Sequence, residues 1–158
     1  MKLRTVLLLA VATLATVGCS KKEDAPKPSY PHVAGVWSGS GTDDAIGYFS
    51  FGVDMIQSND QGVGSFTMSS AIGTVKGDFS VIFGPQGGNN VKSLTLTRKT
   101  WNIPDPQYQN RVCAGTLTVT PGSTFITGSA VSFHYKMTDC QGGTWDGGAN
   151  LHKDAGTN

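Results

Sequence analysis

The chain has 158 residues, 15% of them charged, and a formal net charge of +1. That length holds one domain and leaves no room for two of ordinary size. No basic excess is available to follow a phosphate backbone, which argues against nucleic acid as a partner.

At the N-terminus, Lys2 and Arg4 precede an apolar run, Val6 to Val17, broken only by Thr13 and Thr16 and followed by Gly18-Cys19. A charged start, a short apolar stretch and small residues before a cut site are the parts of a secretory signal. The run falls short of the roughly 20 apolar residues of a comfortable spanning helix. Ala15-Thr16-Val17-Gly18-Cys19 resembles the lipobox of bacterial lipoproteins, with threonine at position 16 where leucine is usual. The resemblance implies that residues 1–18 are a signal peptide and that Cys19 becomes the first mature residue. Its thiol is the nucleophile that takes the lipid. Several acyl chains of the palmitate type make a stable membrane anchor. It also implies a place in the bacterial cell envelope. Ser20 stands where an aspartate marks retention at the inner membrane, so the outer membrane is the expected one. Residues 19–31, with Lys21, Lys22, Glu23, Asp24 and three prolines, have almost nothing to bury and read as a tether.

Two further cysteines, Cys113 and Cys140, remain once Cys19 is assigned to lipid. Beyond the inner membrane they are free to form a disulfide. A metal or redox pair is the alternative, without the C-x-x-C spacing that would favour it.

Residues 32–153 form the expected domain, and 154–158 a C-terminal tail. Its single glutamate-free stretch of Gly, Ser, Thr and aromatic residues is β composition. Alternation repeats along the chain. Phe49, Phe51, Val53 and Met55 share one face, as do Phe66 and Met68, then Val75, Phe79, Val81 and Phe83. Leu94 and Leu96, Leu117 and Val119, and Val131, Phe133, Tyr135 and Met137 follow the same rule. A period of two means strands with one buried face. Glycine, proline and asparagine clusters at 58–62, 84–90, 121–123 and 141–143 mark turns. The sequence predicts no helix after residue 18, and an irregular segment over Thr100–Asn110, where Pro104 and Pro106 exclude a central strand. The expected fold is all-β: roughly eight antiparallel strands in an up-and-down barrel, whose closure removes the sheet edges. A two-sheet sandwich is the alternative.

Gly35-Val36-Trp37 looks like the G-x-W motif that opens lipocalins and related small barrels, including avidin-like ones. Residues 33–152 are similar in rhythm to small lipocalin-like domains of bacterial lipoproteins. Cys140 follows Thr138-Asp139 where lipocalins carry a tyrosine, and the late arginine of that family is absent, with Lys153 the nearest substitute. The resemblance implies a barrel that holds a small ligand.

Signals for catalysis are poor. His134 is the one histidine well inside a strand, on the polar side, and no G-x-S-x-G elbow occurs. The aspartates sit mostly at turns, where they serve backbone hydrogen bonds. Asp139 and Asp146 flank a glycine-rich loop but fall short of the oxygens calcium requires. No metal, cofactor or enzymatic activity is expected. Binding is the better class, because a small barrel either fills its interior or holds one ligand. Trp37, Tyr135 and Trp145 are candidate pocket aromatics, with a packed core as the competing reading. Trp101, Ile103 and Tyr108 would lie on the long irregular segment, as contact residues or as a lid. The expected role is a lipid-anchored module binding a small apolar ligand or envelope component. The alternatives are a protein-binding envelope factor, such as a hydrolase inhibitor, and a structural lipoprotein with no dedicated ligand.

Overall fold

The structure is a computed structural model that describes residues 26–156 except 86, 90, 110, 111, 114 and 120–123. The signal-like segment and Cys19 lie outside the described residues, as do the last two residues of the tail.

The strands are β1 (Gly35–Asp43), β2 (Gly47–Ser58), β3 (Gln61–Ser70), β4 (Gly73–Phe83), β5 (Val91–Asn102), β6 (Gly115–Val119), β7 (Phe125–Ile126), β8 (Ala130–Thr138) and β9 (Thr144–Lys153), with a short helix α1 (Pro106–Gln109) between β5 and β6. They form a single antiparallel sheet in the order β6-β5-β4-β3-β2-β1-β9-β8-β7. The sheet curls until β6 meets β8, pairing Thr118 with Lys136 and Val119 with Tyr135. One continuous sheet that joins itself excludes the sandwich.

The described strands number nine against the roughly eight expected, and one position beside β8 is split. β6 and β7 both pair with β8, β7 further along it through Phe125–Ser132 and Ile126–Val131. They are two pieces of one staircase position, separated by residues 120–124.

Alternation holds along every long strand because the inner face is apolar. Trp37, Phe49, Phe66, Phe79, Phe83, Phe133 and Tyr135 are all fully buried. Phe51 stacks on Phe66 with ring centroids 5.4 Å apart, and Phe133 meets Phe51 edge-on at 5.9 Å. These rings fill the middle of the barrel, and each contributes about 1.5–3 kcal/mol by leaving water.

One end is sealed by the chain that leads into β1. Trp37 Nε1 donates to Val33 O at 2.9 Å, and the Val33 N–H donates to Gln57 Oε1 at 2.7 Å. Gln57 Nε2 donates to Pro31 O at 2.9 Å. The Gly88 N–H donates to Ser29 O at 2.6 Å, and Tyr30 lies against Phe83. The last residues assigned to the tether, 29–31, are therefore part of the barrel's closed end. Their backbone carbonyls supply acceptors that the strand ends need, which composition does not reveal. Lys153 pairs with Trp37 across β9 and β1, so it sits on the same face at this end.

The opposite end carries the β1–β2, β3–β4 and β8–β9 turns and the described residues 103–109, 112 and 113 of the strap that leads from β5 to β6. The expected irregular segment is shorter than its sequence implied. Residues 100–102 continue β5, and Pro106–Gln109 form a helical turn where none was expected. Asp105 starts that turn: its Oδ1 accepts the Gln107 N–H at 2.9 Å, and proline at the first helical position needs no partner for a missing donor. Cys113 and Cys140 are bonded, which ties the strap to the β8–β9 turn.

Candidate functional site

The strap end is built over an arginine. Arg98 follows Leu94 and Leu96 at every second position of β5 and so points inward, with 3% of its surface exposed. Its cross-strand neighbours are both glycines, Gly77 on β4 and Gly115 on β6. Gly115 adopts φ 142°, a backbone region open to glycine and strained for other residues. A bulge between Lys76 and Gly77 leaves Lys99 as the extra residue of β5, and Lys99 turns outward to pair with Asp78. The guanidinium Nη2 donates to Thr138 O at 3.3 Å. Nε and Nη1 are buried with no hydrogen-bond partner, and among the described residues they are the only buried side-chain nitrogens or oxygens so placed. Burial pushes the Arg98 pKa down from its ordinary value.

Arg98 faces a cavity of about 20 Å³. That is room for one water molecule. Its walls are apolar but for Ser70: Met68 and Val75 come from the sheet, Met137 and Trp145 from β8 and β9, and Ile103 and Val112 from the two ends of the strap. Ile103 and Val112 are 5% and 6% exposed, so the strap is pinned inward at both ends while Pro104 to Gln107 ride outside. The two methionines give the site a wall that changes shape at little cost, because their side chains are unbranched and flexible.

The turn above the cavity is held by a buried polar pair. Tyr135 Oη donates to Asp43 Oδ2 at 2.8 Å. Asp43 Oδ1 in turn accepts the N–H of Ala45 at 2.8 Å and of Ile46 at 3.3 Å. Desolvation, and next the Asp43 charge, raise the Tyr135 pKa far above 10.0, so it remains a donor. Ile46 is thereby fixed at the cavity rim.

The six expected contact residues divide. Ile103 and Trp145 line the cavity. Tyr108, half-buried on α1, packs against the core from the strap. Trp101 is on β5 rather than on a loop, is 39% exposed, and lines a shallow outer trough with Lys76 and Thr100. Trp37 and Tyr135 are core residues: the first belongs to the closed end, the second holds Asp43. Larger hollows, of about 460 Å³ beside Tyr48 and His134 and about 600 Å³ beside Ile56 and Val63, lie open on the outer wall. Arg98 makes the small inner cavity the chemically more specific of the three. No protein-family model matches the chain, and no curated protein matches it.

Sequence reasoning missed Arg98, Asp43 and the methionine pair. The signal for Arg98 was present. The run Leu94, Leu96, Arg98 keeps one period, and a charge in phase with a buried face needs a structural or ligand partner.

Among the described residues, no three His, Cys, Asp or Glu side chains come together in a way that would hold a metal ion. The arrangement offers a largely apolar wall, one inward cation and a cover pinned at Ile103 and Val112.

Proposed function

We propose that the protein is a lipid-anchored lipoprotein of the bacterial envelope whose lipocalin-like barrel binds a small apolar molecule beneath the strap 103–114. The observation that carries this reading is the strap-end cavity itself, largely apolar, rimmed by two methionines and covered by a segment with two prolines. The lipobox-like stretch ending at Cys19 supports the anchor and the envelope address. The aromatic middle of the barrel restricts the ligand to the strap end. Since about 20 Å³ takes only a water-sized guest, a ligand enters by displacing the strap and re-packing Met68 and Met137.

Native mass spectrometry of the full chain, purified without detergent exchange, tests the reading. A reproducible added mass below about 500 Da, lost on denaturation, is the expected result. An added mass that survives Ile103→Trp, which fills the cavity, would place the ligand elsewhere. A chain with no added mass that also fails to take up octan-1-ol would turn attention to a protein partner or a structural role.

A further inference from the structure

Arg98 has five N–H donors, and three of them, one on Nε and two on Nη1, have no acceptor among the described residues. A buried guanidinium with donors unmet is costly, and a chain that only needed to fill this position would do better with leucine or methionine. The neighbouring positions make room for it: glycine on each side, one of them at a backbone angle other residues avoid. One water accepts at most two of the three donors. The cavity wall supplies no other charged side chain.

We infer that Arg98 is an anion-recognition residue, and that the ligand beneath the strap is an apolar molecule carrying a single carboxylate, set against the Arg98 guanidinium. This inference rests on the proposed ligand-binding role of the strap end. A carboxylate fits the charge balance: one cation, one monoanion, and a wall that is otherwise uncharged and apolar but for Ser70. A phosphate monoester would bring a second negative charge with no cation to meet it, which an apolar site resists. The acid group displaces the water-sized volume at Arg98, while the apolar body lies along Met68, Met137 and Ile103.

The test is calorimetric titration of the full chain with three probes of one chain length: octanoate, octan-1-ol and octyl phosphate. Arg98→Met removes the charge at similar volume, and Arg98→Lys keeps charge while losing the planar fork. The expected wild-type result is octanoate bound about ten- to hundredfold more tightly than octan-1-ol, the range for a charge-assisted hydrogen-bonded group. In Arg98→Met, octanoate falls to the level of octan-1-ol, and Arg98→Lys lies between. Equal binding of octanoate and octan-1-ol by the wild type leaves the pocket in place and overturns the inference. Binding of neither overturns the pocket reading itself. Octyl phosphate bound more tightly than octanoate overturns the carboxylate assignment. The ranking of the three probes by the wild type decides the matter even where a variant does not fold.

Discussion

Two buried polar side chains, Arg98 and Tyr135, stand at the strap end: among the described residues Arg98 leaves Nε and Nη1 without an acceptor, while Tyr135 is fully paired. Tyr135 gives its proton to Asp43, whose other oxygen is already taken by two backbone N–H groups. Tyr135→Phe leaves a buried carboxylate oxygen without its donor and should cost about 1–3 kcal/mol, read as a lower urea midpoint with unchanged slope. The same pair sets an alkaline limit. The folded chain holds the Tyr135 proton far above 10.0, while the unfolded chain releases it there. Above that pH the folded state binds more protons, so stability falls as pH rises, and it is fully present below it. Stability of the wild type should therefore drop steeply past about pH 10, and that of Tyr135→Phe less steeply. For Arg98 the prediction has the reverse sign. Arg98→Met relieves unmet donors and should raise stability by about 1–2 kcal/mol, a melting temperature a few degrees higher. A lower melting temperature would mean that Arg98 is satisfied by something other than a ligand. Of these residues, Arg98 was legible from its phase in β5. The Tyr135–Asp43 bond was not, because it joins β8 to β1 across 92 positions of sequence and no local pattern encodes it.

The strap is the element where local signals misled. Two prolines over Thr100–Asn110 announced an irregular run, but proline forbids only its own place in a ladder. Residues 100–102, upstream of both, pair with β4, and Pro106 opens α1. Alternation marked β2 to β6 and β8, since one face is apolar and the other polar, a contrast the strap lacks; the glycine-rich β9 carried no such mark. The strap is held by Ile103, Val112 and the bond between Cys113 and Cys140, 27 residues apart. Closing a loop of that size stabilises the fold by about 3.5 kcal/mol in the chain-entropy model. Replacing both cysteines by serine should cost a good part of that. The loss should be local as well as global: hydrogen exchange at residues 103–109 should speed up far more than in β2 and β3. Uniform acceleration across the sheet would show that the bond acts on the whole barrel and that the strap is not a separate cover. Gly73 sits beneath the strap at φ 147°, and a methyl there would meet Asn102 O and Ile103. Gly73→Ala should thus lift the strap's first residues and give the same exchange pattern without touching the disulfide.

The whole molecule has two unlike ends, and its chain enters at only one of them. Residues 29–33 seal the closed end, against Gln57, Phe83 and the β4–β5 turn. Under the proposed anchoring, about ten residues separate Cys19 from Ser29, a reach of roughly 35 Å when fully extended. Strands of about ten residues make the barrel roughly 30 Å tall. A leash attached at the closed end therefore keeps that end nearer the bilayer and turns the strap end outward on average. A binding module that takes its ligand from the aqueous space is served by this arrangement; one that extracts lipid from its own membrane is not. Spin labels placed at exposed Asn89, beside the closed end, and at exposed Gln107, on α1, report the difference. In vesicles, relaxation by headgroup-bound paramagnetic ions should be much stronger at position 89 than at position 107. Equal relaxation would mean free tumbling on the leash. Stronger relaxation at position 107 would place the strap against the membrane, and the ligand would then come from the lipid phase.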